Sequence, residues 1–401
     1  MTRTRKTPDT DLASVVEEFR RHLWLPDPGT VYVTLATVAA NRLPGDPVWT
    51  LLVGASSSGK SEMINALGRL PEYHPVSTFS EAGLVSGSSD GTPGLLIQIG
   101  EAGLLVFKDL TTILSKHKAD RDGVLGCLRE VYDGSYTRRL GNKGGERKWE
   151  GRLGLIAAVT EMIDDYDLGQ LGERFIRYRL PAPSAEDTLE TGRLVLNTLH
   201  LQRESRAERA RMVDEFLSKL SLPEVPPEPN EEDRNRLNVL AGIGVRCRSP
   251  IVRDRYKGDL IERVPIPEGI GRMLAQLGQL LAGMRVIDVP EDDAWRLLAQ
   301  IVLDGMHPLR RKVLDLTIAE GRQMTTATIA ARCDLPSSSV RRHLEDLTAL
   351  GVLAKVHYTD PEAWEVSGWL RDQWWAVTGE PDEEEADPRD ATPCNPRAFQ
   401  L

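Results

Sequence analysis

The chain has 401 residues, 40% of them hydrophobic and 27% charged, and a formal net charge of -10. That length exceeds one ordinary core and implies two or three domains; the apolar fraction excludes a disordered chain, and the missing Gly-every-third pattern excludes a collagenous one. No run approaches the roughly 18 apolar residues of a membrane helix, and an acidic total argues against coating nucleic acid with the whole surface while leaving local basic patches open.

The N-terminus turns from basic to acidic with no apolar stretch, which predicts no secretory signal. Cys127, Cys247, Cys333 and Cys394 lie far apart without a CxxC pair, which fits a reducing, cytoplasmic setting better than a disulfide framework or a zinc site. Helical spacing over residues 12–25 stops at Pro26, Pro28 and Gly29, and a short helix is predicted at 31–43, giving an N-terminal helical segment, 1–46. Short apolar runs at 48–53, 76–79, 104–107, 153–159 and 175–180 then alternate with helical patterns, so 47–183 reads as an α/β domain with a largely parallel sheet. A charged helical stretch at 188–220, a loop of prolines and acids, and amphipathic helices at 234–245, 269–283 and 292–303 make 184–304 an all-α region. Residues 305–378 form a further unit, and the acidic, proline-rich stretch 379–401 reads as a disordered tail.

GASSSGKS, residues 54–61, fits the phosphate-loop pattern G-x-x-x-x-G-K-[ST], with an apolar strand before it and a helix after it. Gly54 and Gly59 permit the backbone angles that turn the N–H groups of Ala55, Ser56, Ser57, Ser58 and Glu62 toward a polyphosphate. Lys60 suits the β- and γ-phosphates and the Ser61 hydroxyl suits Mg²⁺, so ATP and Mg²⁺ are the expected cofactors. Asp109, after the strand at 104–107, is the best candidate for the second metal acid, a role compatible with capping the next helix. Leu110 stands where an acid that activates water would be convenient; Glu81 is the alternative, or else an ordinary acid at a helix start.

In order along the chain, these features resemble the AAA+ ATPases. The resemblance covers about 48–303 and implies a P-loop sheet with an α-helical lid, ATP hydrolysis and a homo-oligomeric ring. It makes Thr160, ending the strand 153–159, a polar sensor, and Arg174, fourteen positions on, an arginine finger for the neighbouring subunit, with Arg177 and Arg179 less well placed. Such a finger contributes on the order of 10³ to 10⁵ in rate. Arg272, in a helix similar to the lids of minichromosome-maintenance helicases, becomes a second sensor, with Arg246 and Arg248 as alternatives. The Lys108–Asp109 pair departs from the usual pattern and weakens the case for fast hydrolysis. Residues 132–154 read as a basic hairpin, in which Arg138, Arg139, Lys143, Arg147 and Lys148 suit DNA phosphates and Tyr136 and Trp149 suit base stacking; a merely solvated hairpin fits equally.

Residues 308–356 divide into three helices and an apolar strand and resemble a winged helix-turn-helix of the MarR or ArsR type. Ser337, Ser338 and Ser339 are expected to cap the third helix and face the major groove, and Arg341 and Arg342 to contact bases or phosphates. Here basic residues exceed acidic ones by three, and docking of a protein is the competing use. The whole predicts an ATP-dependent, DNA-engaging protein, helicase-like or a replication initiator of phage or mobile-element type. Two alternatives stand: an ATP-responsive transcriptional regulator, and a nucleotide-binding adaptor with negligible turnover.

Overall fold

The computed structural model describes residues 10–77, 81–85, 93–139, 145–166, 173–225, 228–254, 256, 260–356 and 361–378. The chain forms two compact units, residues 1–227 with 279–294 and residues 228–278 with 295–401. The all-α region expected at 184–304 is therefore shared between them. Among the described residues no helix is long and apolar enough to cross a membrane, and Cys127, Cys247 and Cys333 are buried and form no disulfide. Lys143 and the tail 379–401 lie outside the described residues.

In the first unit α1 (Leu12–Arg20) and α2 (Gly29–Arg42) lead to β1 (Trp49–Val53), α3 (Lys60–Ala66), β2 (Tyr73–Val76), α4 (Glu81–Val85), α5 (Leu95–Ile99) and β3 (Ala102–Phe107). Then come α6 (Thr111–Leu114), α7 (Lys118–Tyr132), the hairpin of β4 (Ser135–Arg139) and β5 (Glu146–Glu150), β6 (Arg152–Val159), β7 (Phe175–Arg179), α8 (Ala185–Thr198) and α9 (Gln202–Ser218). The strands form a five-stranded sheet in the order β2-β3-β6-β1-β7, with every neighbouring pair parallel.

A parallel sheet covered on both faces demands continuous apolar runs, and all five residues of β1 are buried. Its one hydroxyl, on Thr50, lies 2.8 Å from that of Thr37 on α2, so no polar group is left unsatisfied there. The Trp49 indole donates to Leu153 O at 2.7 Å and meets the Tyr132 ring edge-on at 5.1 Å. The strand expected at 76–79 instead runs Tyr73–Val76. The helix expected over 188–220 is two, α8 and α9, joined by a 3-10 turn at Leu199–Leu201.

The second unit holds α10 (Glu231–Cys247), a small antiparallel pair of β8 (Val252–Arg253) and β9 (Ile261–Arg263), and parts of α11 (Gly271–Val286) and α12 (Glu291–Asp304). That strand pair corrects the all-α reading. It ends in α13 (Pro308–Glu320), β10 (Met324–Thr325), α14 (Thr326–Cys333), α15 (Ser337–Ala349), β11 (Leu353–Val356), β12 (Ala363–Val366) and α16 (Gly368–Thr378), with an antiparallel sheet in the order β10-β12-β11.

Gly154 on β6 shows how tightly α2 lies on the sheet. A Cβ there would stand 2.4 Å from Asn41 Cγ. Asn41 cannot yield cheaply, because its amide donates to Thr37 O and Val48 O at 2.8 Å and its oxygen accepts from Val48 N at 3.0 Å. Gly154→Ala is expected to destabilise the protein by about 1–3 kcal/mol through overpacking, read as a lower urea midpoint; an unchanged midpoint would show that α2 can shift.

Candidate functional site

β1 delivers the chain to Gly54, whose N–H bonds Val159 O at 3.2 Å. A Cβ on Gly54 would stand 3.1 Å from Ser58 Oγ and 3.3 Å from Leu180 Cβ, so the first turn is tight. Ser57 (φ 65°) and Gly59 (φ 89°) adopt left-handed angles that reverse the chain into α3. The Lys60 ammonium folds back over the loop and donates to Gly54 O at 2.8 Å, Ala55 O at 2.6 Å and Ser58 Oγ at 3.0 Å. Burial pulls this ammonium below the ordinary lysine range, and the carboxylates of Asp109 and Glu161 oppose that shift.

Asp109 stands exposed at the C-terminal end of β3, and its Oδ1 accepts from Thr111 N at 2.9 Å, so it also secures the start of α6. Leu110 is buried, its N–H on Ala158 O at 2.9 Å. Thr160, directly after β6, brings its hydroxyl to 3.4 Å from that of Thr111. The start of α3 supplies Lys60 and the ends of β3 and β6 supply Asp109 and Thr160, with Glu161, which the sequence reading missed, directly after Thr160. Its only signal was an acid directly after the polar end of a buried strand. Ser61 is exposed beside Lys60. Glu81 begins α4, and its side chain lies outside the described residues.

Arg174 forms an ion pair within its own unit. It is buried, donates to both oxygens of Asp133 at 2.6–2.9 Å, and lies 5.5 Å from the centre of the Tyr132 ring. Arg177 and Arg179 both pair with Asp164, at 3.5 and 2.6 Å. Arg272 lies near the start of α11, in the part of that helix belonging to the second unit. Arg246 stacks on Trp369 at 4.0 Å and Arg248 pairs with Glu268. Glu62 is committed to Arg206 and Arg209 of α9, partners that its sequence position did not announce.

The basic hairpin forms as β4 and β5, but its aromatics point the other way. Tyr136 and Trp149 sit opposite each other and are buried; the Trp149 indole donates to Gly100 O at 2.7 Å. They anchor the hairpin to the sheet's core and leave no ring for base stacking. Arg138 is half-buried with one buried nitrogen unpartnered, while Arg139 is exposed and 3.7 Å from Glu146. Arg138 faces Arg147 across the strands, an unfavourable pairing of like charges unless an anion joins them.

In the C-terminal segment α14 and α15 are joined by a turn through Asp334 at φ 49°. The N-cap of α15 is Pro336 and no side chain caps it, so the serines do not have the capping role expected of them. Ser337, Ser338, Arg341 and Arg342 are exposed and Ser339 is half-buried, while Val340, Leu344 and Leu347 form the buried stripe. Arg341 pairs with Glu345 at 3.1 Å and Glu362 at 3.4 Å; among the described residues Arg342 makes no ion pair. A cavity of about 500 Å³ lies between α14 and α15, lined by Ala327, Ala331, Asp334 and Ser337 among others.

Asp346 fixes the pose of α15 from below. This buried carboxylate accepts from Arg253 of β8 at 2.7 Å and from Arg310 of α13 at 3.3 Å. Arg310 also donates to Cys247 O and Ser249 O at 3.1 and 2.9 Å.

Residues 306–356 match the family described as helix-turn-helix domain. No curated protein matches the chain. The C-terminal segment is accordingly a helix-turn-helix domain, with β11 and β12 as its wing strands.

Asp346→Ala would strip Arg310 of its carboxylate and leave Arg253 with Glu345 at 3.5 Å, and is expected to cost about 3–5 kcal/mol. Calorimetry of the full chain checks this, and a loss below about 1 kcal/mol would mean that solvent already compensates the pair.

Proposed function

We propose that the chain is an ATP- and Mg²⁺-binding P-loop protein of the AAA+ type that couples nucleotide state to DNA engagement through its winged helix-turn-helix. The observation that carries the reading is the loop between β1 and α3, with Lys60 drawn over its carbonyls at Gly54 and Ala55. The strand order supports it, because β6 lies between the strands of the loop and of Asp109 and so sets Thr160 between them. The donor set fits the cofactors: an ammonium and loop N–H groups for phosphate oxygens, a hydroxyl and a carboxylate for a hard cation. Bound Mg²⁺ supplies neutralisation of phosphate charge. Lys60 and the loop would hold the phosphates, Ser61 and Asp109 the metal, and Thr160 would orient water.

Leu110, buried where an activating acid would help, favours slow hydrolysis. A helicase-like or replication-initiator role follows from joining such a core to a winged helix in a homo-oligomer. The second reading, an ATP-responsive regulator of transcription, is supported by Arg174, which pairs with Asp133 of its own chain and would have to leave it to serve a neighbouring site. Sequence-selective duplex binding without unwinding would decide for the regulator.

Lys60→Ala is expected to weaken ATP binding about 10- to 150-fold, since hydrogen bonds to a charged group contribute ~1.5–3 kcal/mol; equal titration calorimetry for variant and wild type would remove the phosphate-loop reading. DNA affinity is expected to fall as salt rises, and Arg342→Ala either to lower the salt slope by about 1, as a phosphate contact, or to relax base preference by about 1–3 kcal/mol. Fluorescence anisotropy on duplexes at several salt concentrations reads both, and a flat salt response with no loss in the variant argues for protein docking instead.

A further inference from the structure

Glu62 follows Ser61 in the chain and leaves α3 from its first turn, and it holds two arginines of α9. Its Oε1 accepts from Arg206 Nε at 2.9 Å and Nη2 at 2.6 Å, and its Oε2 accepts from Arg209 Nη2 at 2.6 Å. The two cations are not equivalent. Arg209 is 3% exposed and lies over the Phe19 ring at 5.8 Å, whereas Arg206 is 51% exposed. If Arg206 leaves, Glu62 keeps Arg209 and the buried charges stay compensated. If Arg209 loses Glu62, a buried guanidinium is stranded, so Arg209 is the anchor and Arg206 the movable member.

We propose that Arg206 is the cis-acting arginine of the phosphate site, parked on Glu62 beside Ser61 and transferred to the outer oxygens when a nucleoside triphosphate fills the loop. The proposal deepens the phosphate-loop reading and rests on it. A half-exposed ion pair is worth little in water, so holding Arg206 on Glu62 offers small resistance to its transfer. The guanidinium fork fits phosphate oxygens as well as it fits a carboxylate, and a triphosphate presents more charge than one carboxylate does. Arg209 Nη1 is buried beside this carboxylate without a hydrogen-bond partner, a donor that an entering acceptor would satisfy. With Arg174 committed to Asp133, Arg206 is the half-exposed arginine that α9 brings to the residue next to Ser61.

The test is titration calorimetry of the full chain with AMP, ADP and ATP in the presence of Mg²⁺, for wild type, Lys60→Ala, Arg206→Ala and Glu62→Gln. Arg206→Ala is expected to lower ATP affinity about tenfold or more and AMP affinity less than about twofold. Glu62→Gln, which frees Arg206 while its amide oxygen still accepts from Arg209, is expected to hold or raise ATP affinity. The assignment is overturned if Arg206→Ala leaves ATP affinity intact, or lowers all three nucleotides alike, or if Glu62→Gln falls in step with it as a purely structural clamp would. Loss of ATP binding in Lys60→Ala alone leaves the phosphate loop standing and removes only Arg206; no nucleotide binding by wild type removes both.

Discussion

A buried ammonium shapes the loop between β1 and α3. Removing the Lys60 charge from water is costly, and the cost is offset by three oxygens of the same loop, at Gly54, Ala55 and Ser58. Those contacts require the chain to reverse between Val53 and Lys60, which the left-handed angles at Ser57 and Gly59 accomplish. They also require the loop's origin to be immobile. β1 meets that condition because both of its edges are paired, Val53 lying opposite Val159 on one side and Arg179 on the other. The neighbouring strand ends, and with them Asp109 and Thr160, are positioned by the same sheet.

A second buried charge plays a comparable part in the helix-turn-helix unit. Asp346 lies on the inward side of α15, where an apolar residue would have sufficed for packing. Its carboxylate instead joins β8 and α13 to one helix through Arg253 and Arg310. An apolar contact tolerates sliding, whereas two hydrogen-bonded guanidiniums fix both rotation and height of α15. The outward residues Ser338, Arg341 and Arg342 are presented in one register as a result.

The parts legible in the sequence were those whose physics is local. Continuous apolar runs marked β1, β3 and β6, because strands covered on both faces leave no room for alternation, and the left-handed turn at Gly59 was legible as a glycine before a helix start, whereas the one at Ser57 was not. β2 was misplaced since Tyr73–Val76 is a short edge strand that carries Pro75, tolerated only where one side is unpaired. Charge partners could not be read, because spacing says nothing of them: Arg174 finds Asp133 across 41 positions, and Arg206 finds Glu62 across 144. Tyr136 and Trp149 were read as base-stacking from their basic neighbours, yet strand alternation puts them on the face that meets the core while Lys148 takes the other.

The same pairing sharpens what a net charge of -10 means for DNA. Counted by residue, the helix-turn-helix segment is basic, but most of that charge is spent internally. Arg310 lies beneath Asp346, Arg332 is on Glu320, Lys355 on Glu362, and Arg341 is shared between Glu345 and Glu362. A phosphate must displace a carboxylate to gain Arg341, and Glu345 and Glu362 then face the DNA with their own charge. Nonspecific attraction is weakened by this arrangement, because counterion release scales with the phosphates actually neutralised. A base-edge contact made by Arg341 would lose less, since the hydrogen bonds gained at a matched sequence would compensate the exchange. Acidic neighbours on such a surface would therefore trade affinity for discrimination.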